Sequence, residues 1–180
     1  MNLDTRAIFL SGDLNEEATP GILAQMFEYD AVTDDAEYLI DQKFIEPIKL
    51  VIDSYGGDIY AMWTLYDAMC MLNRPIHTIG LGKVMSGSVL LLAAGKKGER
   101  IAGRNTTFMV HAGSVEALSG KAHEALEYIK HVKSMDQAWY NIMKSLTSNT
   151  VDWKEICSKN TDFYFDAYQA LEFGIIDKII

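Results

Sequence analysis

Three side chains of this sequence could together carry acyl-transfer chemistry. Ser86, His111 and Asp162 supply a nucleophile, a base and an acid to orient that base, in that order along the chain. The serine lies in Gly82-Lys83-Val84-Met85-Ser86-Gly87-Ser88-Val89, between a β-branched run at Ile76–Ile79 and an apolar run that ends at Gly95. That pattern reads as strand, tight turn and buried helix. A hydroxyl at the mouth of a helix lies near unpaired N–H groups and the positive end of the helix dipole, which suits attack on a carbonyl and the oxyanion that results. Serine is also a favoured helix cap, and a plain capping role fits the same position. His111 closes the strand-like run Thr107–Val110, and strand ends open into loops where catalytic groups are often placed. The α/β-hydrolase arrangement does not fit. It needs the order Ser, Asp, His and a Gly-x-Ser-x-Gly elbow, and Val84 stands two residues before Ser86.

The elements that must position these groups can be read in order. Ala7–Leu10 before Ser11-Gly12 reads as a first strand, and Pro20–Tyr29 has helical spacing through Ile22, Leu23, Met26 and Phe27. A run of acids from Glu28 to Glu46 reads as a solvated excursion, with metal binding as the alternative. Ile48–Ile52 is a second strand, and the Gly56-Gly57 pair after it lets the backbone turn sharply and approach something closely. Ile59–Leu72 is a helix with Met62, Leu65, Tyr66, Met69 and Leu72 on one face, ended by Asn73-Arg74-Pro75. His77, in the next strand, reads as a packed or edge residue. A small-residue loop, Ala112–Gly120, precedes a helix over about 121–147. At 1.5 Å per residue that helix reaches about 40 Å, more than a compact domain needs, and points to an assembly interface. A further helix over 151–157, a loop opened by Asp162, a helix over 168–173 and a last strand at Ile175–Asp177 complete the chain.

Composition bounds the function classes. The 180 residues, 49% hydrophobic and 23% charged, suit one globular domain over 1–180 with a full core. A net charge of −9 argues against a nucleic-acid surface, and Lys96, Lys97 and Arg100 are too few to make one. Cys70 and Cys157 show neither metal spacing nor a disulfide framework, as expected in a reducing cytoplasm. No signal peptide and no membrane span are legible.

Taken together, Ile-Phe-Leu-Ser-Gly near the start, Ile-Asp-Ser-Tyr-Gly-Gly, the Ser86 stretch with Leu-Leu-Ala-Ala-Gly, Lys-Gly-Glu-Arg, Met-Val-His and the closing Ala-x-Glu-Phe-Gly-Ile-Ile-Asp resemble the proteolytic subunit of Clp proteases, over residues 7–178. The spacings of 29 positions from Gly57 to Ser86 and 25 from Ser86 to His111 match that family. The resemblance implies a crotonase-like α/β fold, a right-handed spiral of ββα units with the long helix as a handle. It also implies two stacked seven-membered rings of identical subunits with the sites inside, and interlocking handles between the rings. Ser86, His111 and Asp162 fall on the family's triad, and Gly57 and Gly87 on its two backbone oxyanion donors. The implied activity is a cytoplasmic serine endopeptidase that cuts unfolded polypeptide fed by a ring ATPase, with no cofactor and no metal.

Departures from the pattern qualify these expectations. The chain starts almost at the first core strand, so the pore-loop segment is expected to be short or missing. Tyr55 replaces the proline that normally precedes the glycine pair, and Ala112-Gly113 replaces a Gln-Pro after the histidine. The cleft that receives the ATPase loop has Lys49 and Val51 at two aromatic positions and Gly103 at a usual leucine, with Ile79, Leu81 and Ile101 retained, so a changed docking surface is expected. Asp162 lies two positions farther from His111 than in the common bacterial form, and Asp166 is its alternative. The short ends and the acidic excursion suit a phage-encoded version. The competing readings are a ring-forming regulatory subunit that cuts poorly, an acyl-CoA enzyme of the crotonase group, and a Ser–Lys peptidase using Lys83.

Overall fold

A computed structural model describes residues 6–31, 46–114, 121–159 and 161–180. Of the acidic excursion expected over 30–46, residues 32–45 lie outside the described residues, as do residues 115–120 of the loop after His111. The architecture is mixed α/β. Strand β1 (Ala7–Leu14), helix α1 (Thr19–Ala31), β2 (Ile48–Gly57), α2 (Ile59–Met71) and β3 (Ile76–Met85) alternate, and β1, β2 and β3 lie parallel and adjacent. Parallel neighbours cannot be joined by a tight hairpin, so the chain returns through a helix each time.

Beyond β3 come α3 (Gly87–Ala93), β4 (Arg100–Ala102), β5 (Thr107–Val110), α4 (Ala122–Leu146), α5 (Trp153–Ser158), β6 (Phe163–Phe165), α6 (Ala167–Glu172) and β7 (Lys178–Ile179). The sheet order is β1-β2-β3-β4-β7, with β5 on β3 and β6 antiparallel on β5. Strand β3 divides its partners. Thr78–Gly80 pairs with β4 and Lys83–Met85 with β5, so the nucleophile segment is paired to the strand that leads to His111.

The core lies between the sheet and its helices. Ile8, Leu10, Leu50 and Ile52 point into it, as do Met62 and Leu65 of α2. Asp58 caps α2, its Oδ1 accepting from the Ala61 N–H at 2.8 Å. All seven residues of α3 are buried, and its one polar side chain, Ser88, is hydrogen-bonded. On the opposite face of the sheet Val51, Ile79 and Ile101 form a small second cluster. They are register partners across β2, β3 and β4, and Phe9 of β1 extends the row, 61% exposed.

The long helix is nearly as expected, 25 residues, but its two halves differ. Val132, Met135, Trp139 and Met143 are buried, whereas Leu126 and Tyr128 in the first half are exposed. Its last turns rest on an aromatic cluster in which Trp153 packs edge-on against Trp139 and Phe173 and donates from Nε1 to Thr147 Oγ1 at 2.9 Å.

Arg100 is buried, at 2% exposure. It donates from Nε and Nη2 to the two carboxylate oxygens of Asp177, at 2.8 and 2.6 Å, and from Nη1 to the carbonyls of Ala93 and Leu146. One side chain therefore ties α3, α4 and the C-terminal segment together. Asp30 of the acidic run is also structural, its Oδ1 accepting from the N–H groups of Asn73 and Arg74. Cys70 is exposed and Cys157 buried, and neither is bonded to the other. Among the described residues no helix is long and apolar enough to cross a membrane.

Three element boundaries differ from the sequence reading. Strand β3 continues past Ile79 to Met85, because β5 supplies a partner for Lys83–Met85 that the glycines at 80 and 82 conceal. A short strand, β6, follows Asp162 where only a loop was expected. Ile175 and Ile176 are buried after a Gly174 turn, and the last strand begins at Lys178.

Candidate active site

The site is assembled at the C-terminal ends of β2, β3 and β5. Strand β3 stops at Met85 and α3 starts at Gly87, which leaves Ser86 alone to reverse the chain. It does so at φ 53°, ψ −125°, a region that a residue with a Cβ occupies only under strain. The serine makes no capping bond. Ser88 instead fastens the turn, its hydroxyl accepting from the Met85 N–H at 2.8 Å and lying 2.7 Å from the Met85 carbonyl. The Ser86 N–H donates to the Met109 carbonyl of β5 at 2.7 Å, which locks the turn to the histidine strand.

His111 follows directly on β5, and its Nε2 lies 2.8 Å from Ser86 Oγ. With the imidazole proton on Nδ1, Nε2 accepts from the hydroxyl, the direction needed to take its proton. The two sequence candidates 25 positions apart thus meet, and the capping reading of Ser86 fails because its oxygen is turned to the histidine.

Gly56 and Gly57 are needed where they stand. At Gly56 (φ 87°) an added Cβ would lie 2.6 Å from the Met85 carbonyl oxygen and 2.7 Å from Ser86 Cβ. At Gly57 (φ 142°) it would lie 2.2 Å from the Leu14 carbonyl oxygen. Ser54, fully buried, shapes this loop by accepting the Gly56 N–H on its hydroxyl at 3.0 Å. Gly57, Gly87, Ser86 and His111 line one cleft of about 1070 Å³, walled on the other side by Val132, Met135 and Trp139 of α4.

Asp162 is placed near the site but not bonded into it. The antiparallel register of β5 and β6 pairs Val110 with Phe163, so one step further His111 stands opposite Asp162. The carboxylate is exposed, with a long contact of 3.5 Å from the Tyr164 hydroxyl, and among the described residues no hydrogen bond joins it to His111. The alternative acid, Asp166, is occupied as the N-cap of α6: its Oδ1 accepts from the Gln169 N–H at 2.9 Å and Gln169 Oε1 accepts in return from the Asp166 N–H.

Two residues beside the site escaped the sequence reading. Asp136 of α4 accepts from the Gly113 N–H at 2.9 Å and so binds the loop after His111 to the long helix. Only helical spacing to Trp139 and Val132 places it on the cleft face, a signal too general to single it out. Asp53 accepts from Lys83 Nζ at 2.7 Å, and Nζ stands 4.5 Å over the Tyr55 ring. That hydrogen bond holds the Lys83 ammonium above its ordinary pKa and the Asp53 carboxyl below its own, so both are charged at neutral pH. A lysine kept protonated by a carboxylate is no general base, which removes the support for a Ser–Lys pair. Among the described residues, no group of three or more histidine, cysteine or acidic side chains is arranged to hold a metal.

The site is thus a largely parallel α/β sheet carrying a strained serine between strand and helix, within hydrogen-bonding distance of a histidine from the next strand over. The family model for Clp protease matches residues 1–180, and the chain belongs to the Clp protease family. It is 31% identical over 180 residues to ATP-dependent Clp protease proteolytic subunit 2 of Treponema pallidum (strain Nichols), covering 99% of this chain and 83% of that protein. It is 29% identical to the subunit 2 of Treponema denticola, over 98% of this chain and 82% of the relative. The ATP-dependent Clp protease proteolytic subunit of Dehalococcoides mccartyi (strain BAV1) is 30% identical, over 99% and 83%.

Proposed function

We propose that this chain is the serine-peptidase core of a Clp-type ATP-dependent protease, a single peptidase domain that hydrolyses peptide bonds of unfolded polypeptide in the cytoplasm. The observation that carries the reading is the 2.8 Å contact between Ser86 Oγ and His111 Nε2 at a strained strand–helix turn. In this mechanism His111 takes the Ser86 proton as the oxygen attacks the scissile carbonyl. It then gives the proton to the leaving amine, and water repeats the cycle on the acyl-enzyme. The N–H groups of Gly57 and Gly87 hold the oxyanion. Gly87 begins α3, so its N–H has no partner within the helix, and both glycines face the cleft beside Ser86. Asp162, opposite His111 in register, turns its carboxylate to Nδ1 in the working enzyme. Catalytic hydrogen bonds are often open in a resting subunit and close on substrate binding.

The assembly proposed is two stacked seven-membered rings, with the exposed first half of α4 as contact between them and the cleft facing inward. A ring ATPase would dock on the outer sheet face, where the exposed Phe9 and Leu81 flank the buried cluster of Val51, Ile79 and Ile101. Lys49 beside that cluster makes the surface more polar, so the cognate ATPase differs in its docking loop.

A second reading, a ring-forming subunit with little activity of its own, is favoured by the missing bond between Asp162 and His111. One experiment separates the two. Assembled protein is incubated with a fluorophosphonate and weighed intact, with Ser86→Ala as control. A single adduct, absent in Ser86→Ala, supports the peptidase. No adduct on assembled rings supports the regulatory subunit.

A further inference from the structure

Strands β2 and β3 do not run in even step toward the site. Ile52 pairs with Gly80, but two residues on, Ser54 pairs with Val84, four residues on, so β3 carries two extra residues between the two pairs. This bulge sits at Leu81-Gly82-Lys83, with Gly82 at φ 61°. Just past it, on the two strands, come the two halves of the chemistry, Ser86 and the Gly56-Gly57 loop.

Asp53 stands directly across the bulge. Its Oδ1 accepts from the Lys83 backbone N–H at 3.3 Å and from Lys83 Nζ at 2.7 Å, and a Cβ at Gly82 would lie 3.0 Å from the same oxygen. The ammonium in turn covers the Tyr55 ring. One carboxylate of the glycine-loop strand thus holds both main chain and side chain of the serine strand, and an aromatic residue of the loop closes over the pair.

We infer that Asp53, Lys83 and Tyr55 form a brace that fixes the register of the bulge, and with it the placement of Ser86 Oγ relative to the Gly57 and Gly87 N–H groups. They are positioning residues, and the inference rests on Ser86 being the nucleophile. A one-residue slip between strands is about 3.3 Å. Displacements of about 1 Å already cost up to about 10²-fold in rate. The pair is partly exposed, 23% for the Lys83 side chain and 45% for Asp53, and pairs of that kind contribute little to global stability. Its effect therefore belongs in kcat and not in the unfolding midpoint.

The test is a double-mutant cycle of Lys83→Met and Asp53→Ala on the assembled full chain, read by peptide hydrolysis, fluorophosphonate labelling of Ser86 and amide hydrogen exchange. Each single change is expected to lower kcat and labelling about tenfold with KM within about twofold. The double variant should be no slower than either single, because the two residues act as one unit. Lys83→Arg, which restores the cation, should recover most of the rate. Segments 53–57 and 82–87 should exchange faster in Lys83→Met. Additive losses, an unchanged kcat in an active wild type, or unchanged exchange in both segments would overturn the brace. A wild type that never labels at Ser86, yet shows the coupled exchange, would instead overturn the peptidase reading and leave the brace standing.

Discussion

At the scale of single residues, the arrangement separates groups that share a chemical type. Asp162 and Asp166 are both aspartates at the edge of the site, but one faces His111 in register and the other is spent on capping α6. Asp162→Asn is therefore expected to lower kcat by up to about 10⁴-fold, the cost of an imidazole held in the wrong tautomer. Asp166→Asn, which keeps a good cap, should change kcat by less than about twofold. Steady-state hydrolysis of one fluorogenic peptide by both variants checks the pair of expectations. Gly56 admits no side chain, since a methyl group there would meet both the Met85 carbonyl and Ser86 Cβ. Gly56→Ala should abolish labelling of Ser86, and circular dichroism should show the secondary structure retained.

At the scale of elements, the exchange of partners along β3 explains how two strands deliver the serine and the histidine to one point. It also explains which parts were legible in the sequence. The turn at Ser86 and the strand ending at His111 are local patterns, β-branched runs broken by glycine or closed by a polar residue, and such patterns survive without knowledge of neighbours. The second half of β3 and the strand β6 were concealed, because Lys83–Met85 and Tyr164 acquire strand geometry only from pairing with β5. Asp53 and Asp136 stayed invisible for a related reason: each acts through a backbone N–H on another segment, at 30 and 23 positions' remove. The two halves of α4 also predict different outcomes. Trp153→Ala, under the buried half, removes the centre of the aromatic cluster and should cost about 3–5 kcal/mol of unfolding free energy, read from denaturant titration. Leu126→Asp, on the exposed half, should leave the subunit folded and, on the proposed double-ring assembly, shift the particle to single rings in sedimentation velocity.

At the scale of the whole molecule, Arg100 and Asp177 join three otherwise separate segments near the sheet's far edge. Burial pushes the Asp177 carboxyl up, but the hydrogen bonds and charge of Arg100 outweigh it and leave the pKa below the ordinary 3.8. The folded value is lower than the unfolded one, so the pair stabilises the protein above about pH 4 and the contribution is lost as pH falls through the folded value. Asp177→Asn should thus be less stable than the parent in urea at pH 7, and the gap should narrow steadily at more acidic pH. The backbone of Ser86 has a wider consequence. Its positive φ is a standing energetic debt at the one position where a side chain is indispensable, and glycine would relieve it by about 1 kcal/mol or more. Ser86→Gly should accordingly melt above Ser86→Ala. In evolutionary terms the descent from enzyme to inert scaffold is downhill in stability, so a lineage that ceased to need the activity would drift away from serine at this position before it lost the fold.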